Sequence, residues 1–174
     1  MRLINIFCIL LLVTSCATIE VKYDYDTKYD FSNCKTYNYY SDIETGLSVF
    51  DEKRLISELN RQLNAQGFSL SDTPDFYIDI RSNQYEEVRR SSVGIGAGTG
   101  GGNVVGGVSV GFPLGAPKMN RRISIDFHDE DSVGLFWQAV VKSSYNSKAS
   151  TEKREANIKA IVAKLLEDFP PQKR

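Results

Sequence analysis

His128 is the single histidine of the chain, and acidic residues surround it, so it is the first candidate for catalysis or metal binding. Asp126 precedes it, and Asp129, Glu130 and Asp131 follow it, which brings together carboxylate oxygens of the kind that Ca²⁺ prefers. The cluster lacks the spaced acids, the glycine and the distal glutamate of an EF-hand loop. One histidine and one unmodified cysteine are too few ligands for zinc, and no nucleophile is placed in sequence to complete a triad. We interpret the segment as a polar hairpin turn and predict no catalytic, cofactor-binding or metal-binding residue.

A second pattern with possible chemistry is Gly-Ala-Gly-Thr-Gly-Gly at residues 96–101, which matches the GxGxxG pattern of a dinucleotide-binding loop. Such a loop must follow a buried strand and open a helix whose N-terminus meets the pyrophosphate. Here Arg89-Arg90-Ser91-Ser92 comes before the glycines, and the residues at 103–107, Asn-Val-Val-Gly-Gly, form helices poorly. The sequence therefore predicts no nucleotide and no other cofactor.

These glycines belong to a longer insert, residues 91–117, in which ten of 27 residues are glycine and none is charged. Arg89-Arg90 and Arg121-Arg122 flank the insert. If it is a long hairpin, both pairs would lie together and could meet lipid phosphates while an apolar tip enters a bilayer. A solvent loop with ordinary flanking charges is the alternative that we favour. In either case we expect the insert to be the least rigid part of the protein, because glycine loses the most backbone entropy on ordering.

The N-terminus has the three-part layout of a secretory signal. Met1-Arg2 is basic, residues 3–13 are apolar apart from Asn5, and Val13-Thr14-Ser15-Cys16 closes the segment. An aliphatic residue, two small residues and a cysteine resemble the bacterial lipobox. That resemblance implies that residues 1–15 are removed as a lipoprotein signal peptide and that the Cys16 thiol carries a diacylglycerol. The new amino group would then receive an acyl chain such as palmitate.

Such an anchor would hold the mature protein on a membrane, because two or more acyl chains give a lasting attachment. An ordinary cleavable signal and a single N-terminal membrane anchor are the alternatives. Cys8 would leave with the signal, so Cys34 would be the one free cysteine. Cys34 lies in a strand-like run, where we expect a small buried residue and not a reactive thiol.

Composition bounds the rest of the chain. Without residues 1–15 it keeps 159 of 174 residues, which suits a single α+β domain over 16–174. The loss of Arg2 leaves 20 basic side chains against 22 acidic ones, and this near-neutral balance gives no electrostatic reason to expect nucleic acid. Nine Tyr and nine Phe indicate an ordinary packed core.

Alternation of apolar and polar residues predicts the strands. They are expected at 18–26, at 34–40, at 76–81 with a possible continuation to about 90, around 123–128, and at 133–144. In the last of these the inward face is expected to carry Leu135, Trp137, Ala139 and Val141. Helical spacing of apolar residues predicts helices at 51–66 and 151–169.

Capping residues support both helices. Ser48 or Asp51 can begin the first and Gly67 can end it, while Ser150 can begin the second and Pro170-Pro171 can end it. The element order is therefore two strands, a helix, a strand, the glycine-rich insert, a hairpin and a helix. This order predicts an α+β fold with an antiparallel-rich sheet, two main helices packed on one face and a glycine-rich hairpin insert.

An ordered set of short motifs resembles a bacterial lipoprotein family known as domain of unknown function 4136. After the lipobox come Tyr-Asp-Tyr-Asp at 23–26, Phe-Ser-Asn-Cys-Lys-Thr-Tyr at 31–37, Leu-Asn-Ala-Gln-Gly-Phe at 63–68, Pro-Asp-Phe at 74–76 and Phe-Pro-Pro at 169–171. The resemblance implies a cell-envelope lipoprotein of α+β fold. It supplies no reaction and no catalytic residues.

Two functions of different classes follow. The first is a non-enzymatic binding or assembly module, anchored by lipid in the cell envelope at the outer membrane, whose partners are the membrane and an envelope protein. The second is an envelope hydrolase with an unrecognised carboxylate-based site. The lack of a recognisable catalytic motif favours the first, and converging carboxylates in a pocket would favour the second.

Overall fold

The computed structural model describes residues 19–87, 92–93, 112–113, 118–129 and 134–171. Several sequence predictions fall outside these residues. They concern the signal segment 1–15, Cys16, Arg89-Arg90, Glu130, Asp131 and most of the insert 91–117.

The described residues form eight strands, two α-helices and a short 3-10 helix at Phe31–Asn33. The strands are β1 (Glu20–Tyr25), β2 (Thr36–Tyr39), β3 (Ser69–Leu70), β4 (Phe76–Glu87), β5 (Ser92–Val93), β6 (Phe112–Pro113), β7 (Lys118–Asp129) and β8 (Gly134–Ser144). The helices are α1 (Val49–Ala65) and α2 (Thr151–Leu165). The order predicted from the sequence is confirmed, with β3 as an added short strand.

Six of these strands form one sheet in the order β1-β8-β7-β4-β2-β3. Antiparallel pairing joins β1 to β8, β8 to β7 and β7 to β4, whereas β2 pairs in parallel with both β4 and β3. The parallel pairing follows from the connection, because α1 lies between β2 and β4 and returns the chain to the same end of the sheet. The structure is therefore α+β with a mostly antiparallel sheet, as the sequence predicted.

The core lies between one face of the sheet and the two helices. Alternate residues of the central strands point to this face, which is why the period-two pattern of the sequence identified them. The inward strand residues include Phe76, Ile78, Ile80, Ile123, Ile125, Phe127, Ala139 and Val141. The helices bury Leu55, Leu59, Leu63, Ile158, Ile161, Val162 and Leu165 against them.

Both helix starts agree with the sequence prediction. Ser48 caps α1 by accepting a hydrogen bond from the Asp51 N–H, and Ser150 caps α2 by accepting from the Lys153 N–H. Gly67 follows α1 with a φ of 95°, a left-handed conformation that glycine adopts without strain.

The predicted end of the second helix at Phe169 is wrong, since α2 ends at Leu165. The residue before a proline avoids helical backbone, so Phe169, which precedes Pro170, leaves the helix. Its ring instead enters the core, 4.8 Å from the ring of Phe127 and 5.1 Å from that of Trp137.

The predicted inward position of Leu135 is also wrong. Leu135 is 45% exposed, whereas its neighbour Phe136 is 1% exposed. The β7–β8 register shifts between Phe127 and His128. Such an irregularity changes which residues face the core, and simple alternation cannot anticipate it.

The ends of the glycine-rich insert pair as a hairpin. The last pair of β4 and β7 joins Glu87 to Lys118, and β5 pairs antiparallel with β6 so that Val93 lies opposite Phe112. The described ends of the insert therefore pair antiparallel, in the same register as the flanking strands.

We predict that the central part of the insert contributes little to stability. Replacing residues 94–111 with an Asn-Gly turn, which suits a two-residue hairpin, should change the free energy of unfolding by less than about 1 kcal/mol, because loop-closure entropy depends only weakly on length. Urea unfolding followed by circular dichroism measures this change. A loss of several kcal/mol would instead make the insert part of the core.

No helix formed by the described residues combines the length and apolar character needed to cross a bilayer.

Candidate functional site

Asp51 is a carboxylate at a position where the helical repeat calls for an apolar side chain. The buried residues of α1 are Asp51, Leu55, Leu59 and Leu63, which recur every four residues. Because Ser48 caps the helix, the Asp51 carboxylate is free to point inward, and the residue is 1% exposed. A carboxylate this deeply buried needs a cationic partner.

Arg121 provides that partner from the sheet. It belongs to the inward set of β7 that continues through Ile123 and Ile125, and it is 5% exposed. Its Nη1 atom donates a hydrogen bond to Oδ2 of Asp51 at 3.0 Å. The pair therefore joins the start of α1 to the middle strand of the sheet across 70 residues of sequence.

Two further arginines complete the network. Arg154 of α2 donates from Nη1 to Oδ2 of Asp51 at 3.2 Å, and Arg54 of α1 donates from Nη1 to Oδ1 at 3.1 Å. Arg154 also donates to the carbonyl oxygens of Ser147 and Ala149, which fixes the turn before α2. One carboxylate thus connects both helices to the sheet.

Tyr145 supports the same network from the chain after β8. Its ring centroid lies 3.9 Å from the Arg121 guanidinium carbon and 5.9 Å from that of Arg154. Its backbone N–H donates to the carbonyl oxygen of Met119 at 2.8 Å. The face of a tyrosine ring attracts a guanidinium group through the ring quadrupole.

The arginines control the ionisation of Asp51. Burial alone would raise the pKa of this carboxyl group, but the hydrogen bond and charge of Arg121, with the charges of Arg154 and Arg54, outweigh it and lower the pKa below its ordinary value. Asp51 is therefore an ionised structural partner and not a proton donor near neutral pH.

A cavity of about 760 Å³ opens beside this network. Asp51, Arg121, Lys153 and Arg154 supply its charged lining, and Tyr145 supplies an aromatic wall. The apolar part of its lining includes Ile19, Met119, Ala156, Ile158 and Ala160. Its volume is in the range of sites for small ligands, which are typically about 300–1,000 Å³ and combine apolar walls with a few placed polar groups.

Arg121 has two donors beside this cavity that find no acceptor among the described residues. They are its Nε and Nη2 atoms, both of which are buried. Buried polar groups normally find partners, so these two donors are the exception in the network.

The other face of the sheet carries a second polar cluster, centred on Asp126. This carboxylate is buried on the face away from the helices, where it accepts hydrogen bonds from Ser124 at 3.0 Å and from Gln138 at 2.8 Å. Arg81 donates to it as well and also forms an ion pair with Asp79 at 3.2 Å. The prediction that Asp126 belongs to a solvated polar segment is therefore wrong, because it is buried among side chains of its own strand and of both neighbouring strands.

His128 joins this cluster without completing a catalytic arrangement. One ligand atom from each of Asp79, Asp126 and His128 lies within 4.8 Å of the others, a spacing that could hold a metal ion. The Arg81 guanidinium, however, bridges the two carboxylates and already supplies their positive partner. The His128 ring lies edge-on to Tyr40, which stacks on Tyr77. The cluster is a cross-strand structural network.

The arginine pair at 121–122 does not act as a pair. Adjacent residues of a strand point to opposite faces, so Arg121 enters the core while Arg122 lies on the open face with its guanidinium carbon 5.7 Å from the centroid of the Tyr85 ring. The hypothesis that the two arginines act together as a pair at the base of the insert is therefore wrong.

Cys34 is buried, as predicted from the sequence. Its sulphur lies 3.1 Å from the Tyr29 hydroxyl, and burial raises the pKa of the thiol. A raised pKa disfavours the thiolate that nucleophilic chemistry requires. Cys16, the predicted site of lipid attachment, lies outside the described residues.

The family follows from comparison of the chain with family models. The model described as "Domain of unknown function (DUF4136)" matches residues 21–171. The chain belongs to the DUF4136 family. This match covers nearly all of the described residues and confirms the family resemblance found in the motifs. None of the curated proteins compared with this DUF4136 chain matches it.

Solved structures resemble this DUF4136 chain only distantly. A PDZ domain protein from Parabacteroides distasonis ATCC 8503 has a TM-score of 0.51 and 13% sequence identity, over 99% of this chain and 41% of that protein. The DUF4136 chain thus spans less than half of that protein, and the likeness concerns the fold alone. A PelC dodecamer from Paraburkholderia phytofirmans has a TM-score of 0.49 and 10% identity, over 86% of this chain and 95% of that one. The PelC similarity is too weak to bear on function.

Proposed function

We propose that this DUF4136 protein is a lipid-anchored protein of the bacterial cell envelope, held at the outer membrane by acyl chains on Cys16. Its domain acts as a non-enzymatic binding module. The ligand site is the cavity beside Asp51 and Arg121.

The position of Ile19 is the observation that carries this proposal. Ile19 lines the cavity, immediately before β1, and it is three residues after Cys16. An extended chain of three residues reaches at most about 11 Å. A lipid on Cys16 would therefore keep Ile19, and the part of the cavity wall that it forms, close to the membrane surface, where a ligand from the envelope could enter.

The cavity itself supports a binding role over a reaction. Asp51 is the one acid among its described lining residues, and three arginines hold this carboxylate in its ionised form, so it is not a general acid. On the open face of the sheet, Asp79 and Asp126 approach each other, but Arg81 fills the space between them where a reacting atom would need to sit. A hydrolase would need a pair of carboxylates with room for substrate.

Replacing Cys16 with alanine should abolish acylation and release the protein from the membrane fraction, because the anchor would be lost. Metabolic labelling with a fatty-acid analogue and cell fractionation measure both effects. Intact-mass analysis of the wild type should find a chain that begins at Cys16 and carries a diacylglycerol and an acyl chain.

A Cys8→Ala variant is the matched control, since it removes a cysteine from the same N-terminal segment and should keep both label and location. A free Cys16 thiol in the mature wild-type protein would refute the anchor. Acylated protein recovered only with the inner membrane would refute the outer-membrane assignment.

A further inference from the structure

The charges around the cavity do not balance. Among the described residues that line it, Asp51 is the one acid, while Arg121, Lys153 and Arg154 are all cationic. Arg54 adds another guanidinium contact to the same carboxylate. Since one carboxylate can offset only one of these charges, the cavity has an excess of positive charge, and this favours an anion.

The unpartnered donors give an independent indication of the same ligand. Arg121 uses Nη1 on Asp51, but its Nε and Nη2 atoms have no acceptor within the described ranges. These two N–H groups of one guanidinium can donate together to the oxygens of one phosphate group. Arginine is well suited to this task, because its planar fork matches the geometry of phosphate oxygens.

The remaining lining indicates what the anion is attached to. The cavity volume of about 760 Å³ far exceeds the needs of a small inorganic ion, and Ile19, Met119 and Ile158 form an apolar wall. An apolar wall next to a cationic one suits an amphiphile with an anionic head and a hydrocarbon part.

We infer that the cavity binds an amphiphile whose phosphate head group carries a net negative charge. The phosphate lies at Arg121, Lys153 and Arg154, and the hydrocarbon part lies against Ile19, Met119 and Ile158. The inference rests on the proposed function, because a lipid on Cys16 is what brings the cavity to a membrane. The same phosphate chemistry could come from a phospholipid head group or from free phosphate, and the two are separated by experiment.

The test uses the mature, purified protein in a non-ionic detergent. Three probes are titrated separately: dihexanoylphosphatidylglycerol, dihexanoylphosphatidylcholine and inorganic phosphate. The anionic lipid should raise the thermal transition and bind saturably, while the zwitterionic lipid and inorganic phosphate should each bind at least about tenfold more weakly.

Lys153→Gln should weaken binding of the anionic lipid about threefold to fivefold, because it removes one exposed charge from the cavity wall. Lys159→Gln is the matched control on the same helix: it makes the same change in charge at an exposed residue outside the cavity lining, and it should leave the affinity unchanged. Arg121→Gln should weaken binding by more than about tenfold. If Arg121→Gln fails to fold, the comparison of the two lysine variants still decides.

The inference is overturned if the anionic lipid does not bind, if both lipids bind equally, or if Lys159→Gln weakens binding as much as Lys153→Gln. Inorganic phosphate binding as tightly as the anionic lipid would overturn the assignment to an amphiphile. The Cys16 experiment is separate. If Cys16 has a free thiol but the anionic lipid binds normally, only the proposed anchor is refuted. If Cys16 is acylated but the lipid does not bind, only the proposed cavity site is refuted.

Discussion

Replacing Asp51 with asparagine should destabilise the protein by about 3–5 kcal/mol, because the change leaves buried guanidinium charge without its counter-ion. Asp51 is 1% exposed and accepts hydrogen bonds from Arg121, Arg154 and Arg54, so one substitution removes the link between α1, α2 and the sheet. Asparagine keeps the size of the side chain, so the loss measures charge and not packing. Urea unfolding followed by the fluorescence of the buried Trp137 reports the change.

Asp24→Asn is the control, because Asp24 is an exposed aspartate on β1. This substitution should lower the free energy of unfolding by no more than about 0.5 kcal/mol. The double variant Asp51→Asn with Arg121→Met should be destabilised by less than the sum of the two single variants, because it removes both ends of the buried pair. If Asp51→Asn unfolds like the wild type, then the buried network is not a source of stability.

The effect of Asp51 should also depend on pH. Its pKa in the folded protein lies below the ordinary value of 3.8, because the nearby arginines outweigh the effect of burial. A lowered folded pKa means that the stabilisation is fully present above pH 3.8 and is lost as the pH falls through the folded value. The stability difference between wild type and Asp51→Asn should therefore shrink only below about pH 4.

Local patterns in the sequence were enough to predict most of the fold. Alternation identified β1, β4 and the β7–β8 hairpin, because each of these strands has one face on the core and one face open. The stripe of Leu55, Leu59 and Leu63 with the Ser48 cap gave α1, since a helix end needs a side-chain acceptor. These features depend on neighbours within a few residues, and such neighbours are visible in a sequence.

Features set by distant partners could not be predicted in the same way. The bulge that turns Phe136 inward depends on how two strands meet, and the end of α2 depends on a core position that Phe169 fills. The Asp51–Arg121 pair joins residues 70 positions apart, so no local window contains it.

A signal for that pair was nevertheless present. Asp51 occupies the inward repeat of α1, four residues before Leu55, and Arg121 occupies the inward alternation of β7, two residues before Ile123. Opposite charges at two positions that should each be apolar indicate a buried ion pair. The signal is easily missed, because Asp51 also suits a helix cap and Arg121 also suits a surface pair with Arg122.

The hydrophobic core should be equally sensitive to substitution, and Phe127→Ala should cost about 3–5 kcal/mol. Phe127 is fully buried in the middle of the sheet, and its ring centroid lies 4.5 Å from that of Trp137, 4.8 Å from that of Phe169 and 4.9 Å from that of Phe76. The substitution removes apolar burial, leaves a cavity and breaks three aromatic contacts at once. Urea unfolding measured by circular dichroism avoids the change that Trp137 fluorescence would undergo.

Phe50→Ala is the matched control, because it makes the same substitution at a phenylalanine in α1 that is 71% exposed. Phe50→Ala should lower the free energy of unfolding by no more than about 0.5 kcal/mol. Equal losses at the two positions would mean that Phe127 is not at the centre of the core. A large loss at Phe127 with unchanged affinity for the anionic lipid in the remaining folded protein would separate the stability of the sheet from binding in the cavity. That outcome is expected, since Phe127 does not line the cavity.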